Sequence, residues 1–299
     1  MEKRENFAPA RATGGRMLRS AASDRLGLAL LALLSVVIFA ASVTTGASSA
    51  SILGALGSLF SDPAGEAAQT VVRDRVIVFD IRLPRALLGF LTGAALAVCG
   101  AVMQGLFRNP LADPGVIGVS AGASLGAVAW IVLGQTVLAP IGAIFGIFSL
   151  PLAAFLGSLL VTFILYKLAS QGGETHIGTL VIAGIAISAL ALALTGLLVY
   201  MADDQQLRDI TFWSLGSLAG STWEKAIIAA IVIVPAMAVV PFLGRGLNAF
   251  TLGEAAAFHM GVPVEAFKRV AIIMVAAVTG VSVAFSGGIG FVGIIVPHL

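Results

Sequence analysis

Long apolar runs alternate with short polar connections along this chain, and seven of the runs can cross about 30 Å of hydrocarbon at ~1.5 Å per helical residue. They cover residues 26–43, 86–107, 116–133, 141–168, 177–201, 226–243 and 267–285. An eighth begins near Ile289 and reaches Leu299 with no charged or aromatic residue to mark an interface, so the sequence is expected to stop inside a membrane segment. The pattern predicts an all-α, polytopic transmembrane bundle: a tail over 1–25, then a membrane domain over 26–299 with seven full spans and the start of another.

Composition agrees with the pattern. The 299 residues are 59% hydrophobic and 11% charged, with 35 glycines, which leaves too little polar surface to coat a soluble globule. A soluble enzyme, a disordered chain and a collagen-like fibre are excluded. The net charge of +2 does not point to nucleic acid, because Lys3, Arg4, Arg11, Arg16, Arg19 and Arg25 gather ahead of the first span and read as a topology signal. Eighteen uninterrupted apolar residues in 26–43 exceed the ~7–15 of a cleaved signal core, so that run reads as a retained helix. Cys99, the single cysteine, rules out a disulfide framework or a cysteine metal site.

With a cytoplasmic N-terminus, alternating spans place 108–115, 167–176 and 244–269 inside, and 44–85, 134–140, 202–225 and 286–288 outside. Arg108, Lys167, Arg245, Lys268 and Arg269 then join the basic tail on the inside, against Arg73, Arg75, Arg82, Arg85, Arg208 and Lys225 outside. That is the bias of the positive-inside rule. Gly89 and Gly93, then Gly118, Gly122 and Gly126, then Gly142 and Gly146 recur at four-residue spacing and are expected to let helices approach closely.

Spans 26–43, 116–133, 177–201 and 226–243 hold no Asp, Glu, Lys, Arg or His, while Lys167 and Lys268 fall at span ends, where they are expected to snorkel. A carrier driven through buried carboxylates is disfavoured, as is a membrane enzyme with convergent Asp, His or Ser residues. No Gly-Lys pair occurs, so the chain has no P-loop. The driving force is expected to come from a partner.

The connection 244–268 is punctuated by Gly246, Gly253 and Gly261, which predicts two short helical pieces ahead of Pro263. A helix near 254–260 is too short to stand alone in water. With Glu254 in its first turn and Phe258 and Met260 exposed, it suits a groove on a soluble partner; the other reading is a helix lying on lipid headgroups, though it lacks the usual Lys and Arg.

Several segments carry a resemblance: Arg-Leu-Pro-Arg at 82–85, Gly-Ala-Val-Met-Gln-Gly-Leu-Phe-Arg-Asn-Pro-Leu-Ala-Asp-Pro-Gly at 100–115, Gly-Val-Ser-Ala-Gly-Ala at 118–123, Leu-Gly-Glu with Met-Gly-Val within 252–262, and Gly-Phe-Val-Gly-Ile-Ile-Val-Pro-His-Leu at 290–299. From about Ile81 onward the chain resembles the FecCD family, the iron-siderophore, haem and vitamin B12 importer permeases of bacterial ATP-binding-cassette (ABC) systems. The resemblance implies a type II ABC importer permease of ten helices in the bacterial inner membrane, working as a homodimer. It also implies two cytoplasmic ATPase subunits that bind ATP and Mg, a periplasmic substrate-binding protein, and no cofactor, metal or catalytic residue on this chain; no nucleic acid is involved. The family's last helices would lie beyond Leu299.

By the same resemblance, Arg82 and Arg85 match arginines that pair with acidic residues of the binding protein, a task suited to the planar guanidinium fork; anchoring a helix end at the headgroups is the alternative. Asn109, Pro110 and Leu111 match the inner gate, against an ordinary tight turn. Leu252, Gly253, Glu254, Phe258, Met260 and Gly261 match the segment that couples to the ATPase within 244–268. The run Thr-Phe-Trp-Ser-Leu-Gly-Ser-Leu at 211–218 is similar to the haem-importing branch. A ferric siderophore or vitamin B12 are the other cargoes, and an ion-coupled secondary transporter is the alternative mechanism. His176, His259 and His298 fall on the cytoplasmic side or at the chain end, out of reach of an outward cavity. Tyr200, Met201 and Met103 are the remaining haem-ligand types near a path, with core packing the plainer reading for each.

Overall fold

A computed structural model describes residues 14–58 and 66–299; the basic residues Lys3, Arg4 and Arg11 of the expected tail lie outside the described residues. The chain divides into two units, 1–82 and 83–299. In the first, α1 (Gly14–Thr44) is followed by α2 (Ile52–Gly57), α3 (Glu66–Arg75) and a π-helical turn, Val76–Arg82. From Leu26 to Ile38, α1 carries leucines, valines and an isoleucine around its whole circumference, the composition of a helix made for an apolar surround. Its C-terminal end is closed by Arg82. Arg82 is 8% exposed, and its guanidinium donates to the carbonyls of Val43 (3.2 Å), Thr44 (2.9 Å) and Ser48. Helix ends leave carbonyls without partners, and a cation with five donors satisfies several at once. The Asp74 carboxylate accepts from the Ser51 backbone N–H at 2.9 Å and pairs with Arg73 at 3.0 Å, fastening the start of α2.

The second unit is a helical bundle. In chain order it contains α4 (Leu83–Phe107), α5 (Val119–Leu133), α6 (Ala139–Phe145), α7 (Ser149–Ala169), a two-stranded hairpin of β1 (Ser170–Gln171) and β2 (Glu174–Thr175), and α8 (Ile177–Met201). Then come α9 (Asp204–Leu215), α10 (Trp223–Phe250), α11 (Glu254–His259), α12 (Val264–Ser286) and α13 (Val292–Ile295). The hairpin is antiparallel, with Ser170 opposite Thr175. Among the described residues six helices are long and apolar enough to cross a membrane; α5 is a shorter apolar helix.

The core gathers Leu88, Ala95, Cys99 and Met103 of α4, Ile233 and Phe250 of α10, and Ala271, Ile272 and Val275 of α12. Large apolar side chains also face outward, among them Leu160 and Phe163 on α7, Ile182 and Leu192 on α8, and Phe242 on α10. That distribution fits a hydrocarbon surround.

Three sequence expectations change here. The span 116–133 shortens to the 15 residues of α5, about 22 Å at the helical rise, because Pro114 opens a 3-10 turn and Gly118 turns left-handed at φ 73. The run 141–168 is broken into α6 and α7 at Gly146, φ 52. The two short pieces expected in 244–268 reduce to one, since α10 continues through Gly244 and Gly246 to Phe250. A side chain at 246 would meet the Phe267 ring at 2.2 Å, so this glycine serves helix packing, and the Phe250 and Phe267 rings stack at 4.9 Å beside it.

Candidate coupling and gating surface

The connections of the second unit sort into two sets by contact. In one set, the α4–α5 turn, the hairpin and the α10–α12 connection meet: Arg108 Nη1 lies 3.6 Å from where a Cβ on Gly253 would stand, and Thr175 N–H donates to Glu265 Oε2 at 2.8 Å. In the other, Gln206 donates to the Val132 carbonyl at 3.4 Å, and Ser217 N–H to the Ser286 carbonyl at 2.7 Å. Alternation of spans assigns the first set to one face and the second to the other.

The turn after α4 is built from local hydrogen bonds. Arg108 takes φ 50, Asn109 Oδ1 accepts from Leu111 N–H at 3.0 Å, and Asp113 Oδ1 accepts from Gly115 N–H at 2.7 Å as the cap of the following 3-10 turn. Asn109, Pro110 and Leu111 are exposed, Leu111 to 70%. The turn is also tied to the chain end: the His298 Nε2 lies 2.9 Å from the Pro110 carbonyl, and Gln104 donates to the carbonyls of Gly293 and Ile294 at 3.2 Å.

The α11 segment enters through Gly253 at φ 105 and ψ 158, a backbone region that glycine adopts without Cβ strain, and leaves through Gly261 at φ 83. Leu252, Phe258 and Met260 are exposed, and Ala257 is the buried residue of the helix. Glu254 Oε2 accepts from Lys268 Nζ at 2.6 Å. Lys268 was expected to snorkel from a span end; it is instead 2% exposed and donates also to Glu265 Oε1 at 3.0 Å and to the Thr175 carbonyl at 2.7 Å. A buried ammonium is tolerated when its three protons are all matched, as they are here. Glu254, Phe258, Glu265 and Lys268 line a cleft of about 660 Å³ together with His176 and Thr175.

The sequence reading took Lys268 for a snorkelling anchor and passed over Glu265 and Thr175. A signal existed: a lysine near the N-terminal end of a helix opposes the helix dipole, and Glu265 stands three residues before it. The two arginines expected to dock the binding protein stand in different surroundings. Arg82 is buried and gives three of its hydrogen bonds to carbonyls within its own unit, whereas Arg85 is exposed on α4. Met103 is buried in the core as expected, whereas Tyr200 and Met201 are 87% and 59% exposed and do not pack in it.

A profile of the FecCD transport family matches residues 27–299. The chain belongs to the FecCD transport family. The match begins well before residue 81, where the motif resemblance starts. The chain is 44% identical over 223 residues to the hemin transport system permease protein HmuU of Yersinia pestis, covering 75% of this chain and 65% of that protein. It is 42% identical over 224 residues to the cobalamin import system permease protein BtuC of Halobacterium salinarum, covering 75% of this chain and 58% of the relative. Thus the aligned part spans less than two thirds of either relative. A solved structure described as an inward-facing metal-chelate type ABC transporter superposes with a TM-score of 0.75 at 30% identity, covering 90% of this chain and 78% of that one.

In this family member the run 211–218 has a packing role: α9 ends at Leu215, Gly216 turns at φ 73, and Gly216 and Ser217 lie against Ser286 and Gly288. Phe212, in the same run, is 68% exposed.

Proposed function

We propose that this chain is the transmembrane permease subunit of an ABC importer that moves haem or a ferric siderophore from a periplasmic binding protein into the cytoplasm by alternating access. Two permease copies work with two soluble ATPase subunits that bind ATP and Mg, in the bacterial inner membrane, with the N-terminus cytoplasmic. The chain carries no covalent chemistry of its own. Arg85 meets the binding protein, Asn109, Pro110 and Leu111 form the inner gate, and the segment from Leu252 and Gly253 through Glu254, Phe258, Met260 and Gly261 transmits movement from the ATPase.

The observation that carries the reading is the position of α11. A six-residue helix with exposed Phe258 stands next to the α4–α5 turn and is fastened from beneath by its own glutamate. A helix this short gains its stability from what it touches, and an apolar side chain held out in this way suits a groove on a soluble subunit. Cobalamin is the second cargo reading, supported by the 42% identity to a cobalamin permease.

Reconstitution with the cognate ATPase and binding protein tests the proposal. Proteoliposomes are expected to take up haemin or a ferric siderophore when ATP is supplied and the binding protein is present, and cobalamin uptake under the same conditions would move the assignment to the second cargo. Glu254→Arg is expected to leave the homodimer intact by size-exclusion chromatography and to return ATP hydrolysis to the level seen without binding protein. Wild-type uptake by that variant, or uptake driven by an ion gradient without nucleotide, would overturn it.

A further inference from the structure

Lys268 joins three elements that are separate in sequence. Its Nζ donates to Glu254 of α11, to Glu265 of its own helix α12, and to the carbonyl of Thr175 in the hairpin between α7 and α8. Glu265 returns the link, its Oε2 accepting from the Thr175 N–H. Thr175, 2% exposed, is therefore held at both backbone groups. The two carboxylates reach the surface, Glu254 to 37% and Glu265 to 29%, while the ammonium between them is 2% exposed.

The chain links at either end of α11 are glycines at positive φ, and the helix buries a single alanine methyl. Links of that kind absorb displacement by rotating. A buried ammonium behaves differently, since losing one partner leaves an uncompensated charge, and so it tends to follow its partner. α12 is also the helix best placed to carry a displacement inward, with 72% of its apolar window buried.

We propose that Lys268 is a positioning residue that makes α11, the hairpin and the start of α12 move as one body when the ATPase displaces α11. This rests on the reading of α11 as the ATPase contact. Without the ammonium, movement of α11 dissipates in Gly253 and Gly261 and does not reach α7, α8 or α12.

The test uses the full complex of permease, ATPase and binding protein in proteoliposomes. Lys268→Met keeps the length of the side chain and removes its donors; cargo moved per ATP hydrolysed is expected to fall at least about fivefold. Lys268→Arg, which keeps charge and donors, is expected to recover more than half of that loss. Spin labels on Glu174→Cys and Ala255→Cys report the hairpin and α11. Their separation is expected to be the same with and without ATP in the wild-type background and to change between those states in Lys268→Met.

Transport per ATP within about twofold of wild type in an assembled Lys268→Met complex, or a label separation that already changes in wild type, overturns the proposal. Should Lys268→Met fail to accumulate, Glu265→Gln loosens the same junction and is read in the same way. The parent reading has its own readout, a disulfide between Phe258→Cys and the ATPase. If that cross-link fails to form, the contact itself is wrong; if it forms while Lys268→Met couples normally, only the role of Lys268 falls.

Discussion

Arg82 and Arg85 stand three residues apart in one motif and end in different circumstances. Arg82 closes the end of α1 through three carbonyls, and Arg85 faces outward. Spacing in a motif cannot separate the two, because burial depends on which backbone another element brings near. Arg82→Ala leaves acceptors of Val43, Thr44 and Ser48 without their donor and is expected to cost roughly 1–3 kcal/mol, read as a lower melting temperature of the purified protein in detergent. Arg85→Glu is expected to leave that temperature unchanged and to weaken capture of the binding protein, measured by surface-immobilised permease. Lys268 gives the same lesson with the sign reversed: a basic residue at a span end reads as a snorkelling anchor, and three acceptors supplied by two other elements and its own helix make it a buried junction.

The glycine stripes behave differently from one helix to the next. On α5, Gly122 and Gly126 face α7 so closely that a Cβ at 126 would stand 2.1 Å from the Ala153 carbonyl oxygen, and one at Gly157 would stand 2.3 Å from that of Gly122. This is the close backbone approach that small residues permit between membrane helices. Gly93 and Gly146, in stripes with the same spacing, have nothing within 4 Å of a built Cβ. Gly126→Ala is accordingly expected to destabilise the bundle by about 1–3 kcal/mol through overpacking. Gly93→Ala is expected to be neutral or to stabilise α4 by up to ~1 kcal/mol through helix propensity. Thermal denaturation of the two variants side by side in one detergent separates these outcomes. Periodicity announces a small-residue face, and only the neighbouring helix decides whether that face is a contact.

At the scale of the whole molecule, the separation of connections into two contact sets makes orientation measurable. Cys99 is 1% exposed, so a membrane-impermeant maleimide has no native target at the surface. Phe258→Cys is expected to label from the cytoplasmic side only, and Gln205→Cys, on α9, from the periplasmic side only; the reverse pattern would invert the topology. The amino-acid sequence alone determined that the solvent is lipid, where the apolar runs lie, and which family the motifs belong to. Those properties are local or additive: hydropathy sums along a run, and a backbone in hydrocarbon satisfies its polar groups within its own helix. The tertiary structure alone decided that Arg82 and Lys268 are buried, that Gly246 belongs to a packed helix, and that Gly216 and Ser217 rest on the end of α12. Each of these depends on an atom contributed by a distant part of the chain, and a close approach between helices leaves no trace in the hydropathy of either one.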